Sequence, residues 1–303
     1  MPMATRTHLR VIDSIRICAS IISLAVGASP ALAAPEQVDL KLVLAVDVSG
    51  SIDNQELRTE RDGTADAFLD PDVIKAIQNG ALGRIAVAML DFSSPQFDRV
   101  VIDWKIIQDS ASAAEFAQTV RNLQRTPGRR TSVSSALELG SLLLQSSEKD
   151  IVASRRVIDV SGDGPNNDGN PMTPAHDKTL AQGIVVNGLP VMDDNANGYY
   201  PNLDKYYAGC VAGGRGSFVI VVHSYKDFGA AMRRKLILEI SQNEPQIKRA
   251  DTDSLKVHPL KVGAPLQVGP PSAPQVLRPG PNEFSNRCDI QGGFGGFGGF
   301  GRF

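Results

Sequence analysis

The sequence predicts an α/β fold, a doubly wound, mostly parallel sheet with helices on both faces. Three observations carry that expectation. Near-continuous runs of Val, Ile, Leu and Ala recur between residues 38 and 242, as strands buried on both faces require. Stretches of helical period separate these runs. A loop holding one Asp and two hydroxyls, Asp47-Val48-Ser49-Gly50-Ser51, follows directly on the first run, and ligands of open α/β sheets gather at the carboxyl ends of strands.

The elements follow in chain order. Arg6, Arg10 and Arg16 precede the apolar run from Ile17 to Gly27, and Ala31-Leu32-Ala33 supplies the small-x-small pattern of a signal-peptidase site. Residues 1–33 therefore read as a cleaved export signal, with the mature chain beginning near Ala34 and residing in the periplasm or outside the cell. The apolar run is about half of the roughly 20 residues a bilayer span needs, so no transmembrane anchor is expected after cleavage. Cys18 stands at the start of that run, not after it, which does not suit a lipoprotein cysteine.

Strands are expected at Leu40–Val46, Ile85–Leu90, Val157–Val160, Ile184–Asn187 and Phe218–Val222, with the more mixed Val100–Trp104 at an edge. Asp53 followed by Glu56 is a capping-box start for a helix. Val133, Ala136, Leu137, Gly140, Leu143 and Leu144 mark one buried helical face, and Phe228, Met232, Leu236 and Ile240 mark a closing helix. These elements define one domain over residues 34–243. Beyond it, residues 244–303 turn Pro-rich and Gly-rich and end GGFGGFGGFGRF, a composition expected to form a largely extended or disordered arm, with its spaced Phe residues as an alternative contact motif.

Composition narrows the function. With 31 Lys plus Arg against 33 Asp plus Glu and a formal charge of -2, the chain has no basic field to collect phosphates, so nucleic acid is not an expected partner. Beyond the signal only Cys210 and Cys288 remain. In an exported chain such a pair without a C-x-x-C reads as a disulfide, here pinning the arm to the domain.

The D-x-S-x-S spacing places three oxygens on one tight loop, suited to a hard divalent cation. At these residues the chain resembles the von Willebrand factor A domain, whose metal-ion-dependent adhesion site opens with D-x-S-x-S after the first strand. The resemblance extends to Thr131 at the head of TSVSSALELGSLLL and to Asp163-Gly164 after the next buried strand. It implies that Ser49 and Ser51 touch the metal, that Thr131 does so directly or through water, and that Asp47 and Asp163 hold coordinating waters. Mg²⁺ is the implied ion, with Mn²⁺ able to substitute. A position would stay open for a carboxylate from a protein ligand.

This chain departs from the family at Gly128-Arg129-Arg130-Thr131, where two glycines commonly precede the Thr. The arginines would either repel a bare cation or help clamp an acidic ligand. A Ser-rich loop that merely caps the following helix is the structural alternative for the whole constellation. The export signal, the single A-type domain, YYAGCVAGGRGSFVIVV and RRKLILEI together are similar to an uncharacterised family of secreted bacterial A-domain proteins.

Asp193-Asp194-Asn195-Ala196-Asn197-Gly198, with Asp204 at the twelfth position, fits the opening of a calcium loop. The motif expects Glu at that last place, and Asn/Asp/Gly clusters are ordinary turn formers. Enzyme signatures are wanting: Ser49 stands where a phosphatase D-x-D has its second Asp, no G-x-S-x-G, H-E-x-x-H or Walker sequence occurs, and Gly213-Gly214-Arg215-Gly216 precedes a strand, as a turn does. The chain is thus expected not to be an enzyme but an exported metal-dependent protein-binding module. A metal-independent structural or assembly factor of the envelope is the alternative, and a hydrolase using Asp47 and Asp163 a remote one.

Overall fold

The computed structural model describes residues 34–125, 128–193, 200–241, 275–280 and 288–289. The predicted signal, the centre of the Asp193 loop, most of the arm and the GGF tail lie outside the described residues. The described residues from Pro35 onward form one compact unit.

Among the described residues seven strands, β1 (Glu36–Asp47), β2 (Ile85–Phe92), β3 (Arg99–Ile107), β4 (Ile151–Gly162), β5 (Val185–Pro190), β6 (Val219–Ile220) and β7 (Val276–Leu277), form one sheet of order β3-β2-β1-β4-β5-β6-β7. Strands β2, β1, β4, β5 and β6 are parallel; β3 and β7 close the two edges antiparallel. The chain runs outward from β1 to β3 and then returns to the other side of β1 for β4. That reversal makes the carboxyl ends of β1 and β4 the topological switch point, where doubly wound sheets open a crevice.

Side-chain alternation along β1 builds the two layers. Leu40, Leu42, Leu44 and Val46 face one core, packed with α1 (Asn54–Leu69), α2 (Pro71–Gln78), α3 (Ser110–Arg121) and α7 (Phe228–Ile240). Val43 and Ala45 face the other, packed with α4 (Val133–Ser146), α5 (Met172–Ala181) and the segment from α6 (Leu203–Tyr206) through the π-helical turn Tyr207–Val211. A period of two in a strand sends alternate residues to opposite faces, so Asp47 emerges on the α4 side.

The expected elements are present with shifted ends. β1 extends four residues earlier than its apolar run because Glu36 onward pairs with β4 from Ile151. β6 is shorter than Phe218–Val222: the Asn187 side chain, not a strand carbonyl, accepts the Phe218 N–H at 3.0 Å, and pairing resumes only at the bridge Val191–Val222. The Asp53–Glu56 capping box forms with both its hydrogen bonds. Val100–Trp104 falls within the antiparallel edge strand β3, and Gly214 and Gly216 adopt positive φ in the turn before β6.

Part of the C-terminal stretch is built into the sheet and is not extended away from it. Val276 and Leu277 pair with Ile220 and Val219. Cys288 forms the expected disulfide with Cys210, 78 residues away, with Cα atoms 5.5 Å apart. Asp289 Oδ1 accepts the Thr173 N–H at 2.7 Å, in the first turn of α5.

Candidate metal centre

Asp47 is the last residue of β1, Ser49 and Ser51 lie in the loop to α1, Thr131 stands two residues before α4, and Asp163 directly follows β4. Adjacent β1 and β4 bring four of them into one hydrogen-bonded series. Ser49 N–H donates to Asp47 Oδ1 at 2.8 Å, Ser49 and Ser51 hydroxyls are 3.1 Å apart, and Ser51 Oγ donates to Asp163 Oδ1 at 2.9 Å. Thr131 flanks the far side: a Cβ placed on Gly164 would lie 3.4 Å from Thr131 Oγ1.

Asp47, Ser49, Thr131 and Asp163 are all buried, and Ser51 is half-buried. Each carboxylate keeps one oxygen, Asp47 Oδ2 and Asp163 Oδ2, buried and without a hydrogen-bond partner. Burial pushes the Asp47 carboxyl well above the ordinary carboxylate range, the neighbouring Asp163 charge adds to the rise, and the Ser49 hydrogen bonds oppose it. Burial likewise raises Asp163 to about 6, against the Ser51 hydrogen bond. Two buried carboxylates facing one another without a cation are mutually destabilising, and a bound cation inverts that relation.

The loop geometry is held from three neighbouring segments, one of them through Arg125, which the sequence did not single out. Arg125, just after α3, donates through one guanidinium nitrogen to the carbonyls of Ser49 at 3.2 Å and Ile52 at 2.8 Å. Gly128 packs so tightly that a Cβ there would sit 1.9 Å from the Val48 carbonyl oxygen, and Gly50 N–H donates to Arg129 O at 2.9 Å. Thr131 N–H donates to Asn167 Oδ1 at 2.9 Å, Asn167 N–H returns to Thr131 O at 2.8 Å, and Ser134 N–H donates to Asn166 Oδ1 at 2.9 Å. The two asparagines thereby tie the loop after β4 to the start of α4.

Beneath the site lies Tyr207, fully buried, whose hydroxyl has no hydrogen-bond partner. A Cβ on Gly162 would meet this hydroxyl at 3.0 Å and Asp47 Oδ2 at 2.9 Å, so only glycine fits the end of β4. Burial first, then Asp47 and Asp163, push the Tyr207 hydroxyl well above its ordinary pKa, which keeps it a protonated donor. A Tyr-Tyr doublet in an apolar run hints at a core position; nothing in it points to Asp47.

The donor set suits a hard divalent cation: three hydroxyls and two carboxylates, with two carboxylate oxygens lacking partners. Among the described residues no group of three or more His, Cys, Asp or Glu side chains is gathered as a metal site, and the hydroxyl-rich set here is of another kind. Of the calcium-loop residues, Asp193 accepts the Tyr225 N–H through Oδ2 at 3.3 Å and Asp204 sits in α6, while residues 194–199 lie outside the described residues.

Beside the site opens a cleft of about 600 Å³, lined by Gly50, Ser94, Gln96, Arg129, Arg130 and Asp168. Both arginine side chains are exposed. The Arg130 guanidinium donates to Asn167 O at 3.2 Å.

No curated protein matches the sequence. Among solved structures the chain is similar to a von Willebrand factor type A protein from Catenulispora acidiphila, at 13% identity over 66% of this chain and 42% of that one, with a TM-score of 0.46. It is also similar to proximal thread matrix protein 1 from the mussel byssus, with a zinc-occupied MIDAS motif, at 14% identity over 69% and 49%, TM-score 0.48. A third is the pilus adhesin SpaC from Lactobacillus rhamnosus GG, at 14% identity over 67% and 31%, TM-score 0.48. The chain spans half or less of the length of each of these proteins. The doubly wound fold itself rests on the observed strand order. Residues 37–244 match the family described as "Protein of unknown function (DUF1194)", and the chain belongs to that family.

Proposed function

We propose that this protein is an exported binding module that holds a divalent cation at the β1/β4 switch point and captures an acidic group of a partner protein. The observation that carries the reading is the pair of unpartnered buried oxygens, Asp47 Oδ2 and Asp163 Oδ2, on carboxylates whose Oδ1 atoms accept the Ser49 N–H and the Ser51 hydroxyl, the latter 3.1 Å from the Ser49 hydroxyl. Ser49, Ser51 and Thr131 are the residues that would hold Mg²⁺ or Mn²⁺, with Asp47 and Asp163 behind them. The cation, when bound, supplies a positive centre to which a carboxylate oxygen can add.

The chain's own residues favour binding over catalysis. Neutral hydroxyls leave a cation's charge little compensated, which suits capture of an anion. His176 packs against Gly213, on the far side of β5 from the site, and His223 is exposed; neither hydrogen-bonds a site residue among the described residues. Arg125 fixes the loop carbonyls, so the hydroxyls stay directed to one another without a rearrangement.

Calorimetric titration of the chelator-stripped protein tests the reading. Heat of Mg²⁺ or Mn²⁺ binding in the wild type, lost in Asp47→Ala, is the expected result. Equal heat in both places the metal elsewhere. No heat in either leaves a docking module that works without metal.

A further inference from the structure

The cleft flanking the hydroxyl cluster has a use that the cation alone does not require. Arg129 is held to the metal loop by its backbone, since its carbonyl accepts the Gly50 N–H at 2.9 Å between Ser49 and Ser51. Gly128 before it is pressed against Val48. The base of the Arg129 side chain is therefore fixed relative to the hydroxyls, while its guanidinium is exposed and makes no hydrogen bond or ion pair among the described residues. A hydrogen-bonded backbone anchor with an exposed planar fork is a preorganised receptor for a carboxylate.

The rest of the cleft gives that fork direction. Arg130 is engaged at Asn167 O and contributes charge more than a free hydrogen-bonding edge. Ser94 Oγ accepts the Arg130 N–H at 3.3 Å, which leaves its hydroxyl proton to donate. Asp168, whose carboxylate accepts its own neighbour's Gly169 N–H at 2.9 Å, lines the same cleft and repels an anion from its side. The chain as a whole carries a net charge of -2, so this basic spot acts locally and not as a long-range field.

We propose that the cleft is a second subsite for the same ligand, in which Arg129 pairs with a second carboxylate, so that the partner is recognised by two acidic side chains a few residues apart on one peptide segment. This rests on the reading of the hydroxyl cluster as a cation site that takes the first carboxylate. A cleft of about 600 Å³ has room for a side chain and the peptide backbone linking it to its neighbour. Its openness to water limits the gain from an arginine–carboxylate pair, and about tenfold in affinity is the expected size.

The test uses the full chain, Mg²⁺ and labelled, end-capped alanine peptides carrying either one Glu or two Glu separated by one to four alanines, with binding read by fluorescence anisotropy. The best two-Glu peptide is expected to bind about tenfold more tightly than the one-Glu peptide. In Arg129→Gln that advantage is expected to collapse to near unity, with Arg129→Lys restoring only part of it. Lys105→Gln, an exposed cation on the edge strand β3, is the charge-matched control and should retain the advantage.

The same samples are titrated with Mg²⁺ alone. Loss of Mg²⁺ binding in the wild type refutes the cation site itself. If Mg²⁺ binds, the second subsite is overturned by any of three results: no preference for two Glu, a preference that survives Arg129→Gln, or no peptide binding at all.

Discussion

Ser51 Oγ donates to Asp163 Oδ1 at 2.9 Å, although the two residues are 112 positions apart. The bond spans the point where the strand order reverses, with the loop after β1 on one side and the end of β4 on the other. It makes the hydroxyls and carboxylates of two chain segments one unit, and the consequences of altering that unit can be stated in advance.

Asp47→Asn separates binding from stability. Asn keeps an acceptor for the Ser49 N–H and removes a buried charge that faces Asp163. In chelator the variant is expected to melt at or above the wild-type temperature. Mg²⁺ at a hundred times its dissociation constant stabilises the wild type by about 2.7 kcal/mol, and this gain is expected to vanish in the variant. Paired thermal melts with and without Mg²⁺ check both signs.

Arg125→Ala removes the donor that holds the Ser49 and Ile52 carbonyls. Charged hydrogen bonds of this kind contribute roughly 1.5–3 kcal/mol, part of which is returned when water reaches the freed carbonyls. Mg²⁺ affinity is expected to fall by at least tenfold, because the hydroxyls lose their fixed backbone. Arg125→Lys, which can reach one carbonyl but not several, should fall between. Titration calorimetry beside urea melts in chelator separates loss of the site from loss of the fold.

Glu60 gives the metal-free protein a pH dependence. It is fully buried, with Ser161 Oγ donating to Oε1 at 2.5 Å and Oε2 without a partner. Burial raises its carboxyl from 4.5 to about 8, against the Ser161 hydrogen bond and the Arg61 charge. The unfolded chain ionises this group near 4.5 and the folded chain keeps it protonated to about 8. Its contribution to stability is therefore fullest below the lower value and is lost as pH rises towards the upper one, by at most about 1.4 kcal/mol per pH unit. Glu239, also pushed to about 8, acts in the same sense. Urea melts in chelator at pH 5, 6, 7 and 8 should show stability falling with pH, with a shallower fall in Glu60→Gln. An equal slope in the two proteins would refute this.

The Cys210–Cys288 bond closes a loop of 78 positions, for which the chain-entropy model gives about 4.5 kcal/mol. Cys288→Ser is expected to lose part of that and to free Asp289 from the α5 turn. Thiol titration of the denatured, unreduced chain should find only Cys18 where that residue is retained, and two further thiols after reduction.

By itself the sequence determined the α/β class, the apolar centres of β1 to β6 although β1 and β4 begin four and six residues before theirs, the capping box at Asp53, the cysteine pair and the order of D-x-S-x-S, Thr131 and Asp163-Gly164. These are local signals. Apolar spacing reports which face of a strand or helix is buried, and a cap needs only residues three positions apart. Arg125, Tyr207 and the Glu60–Ser161 pair left no such trace, since an arginine shortly before a Pro-Gly pair, a tyrosine in an apolar run and a glutamate on a helix are each ordinary in their own neighbourhoods. Likewise nothing in the Pro-rich stretch marks Val276 and Leu277 as strand residues, because a two-residue strand gains its hydrogen bonds wholly from a partner. Tertiary structure alone decided that β4 returns beside β1, which places Ser51 against Asp163, raises both carboxyl pKa values through shared burial and sets Arg129 at the rim. Those relations depend on which backbones share hydrogen bonds and which charges lose water together, and both are fixed through space by the whole sheet.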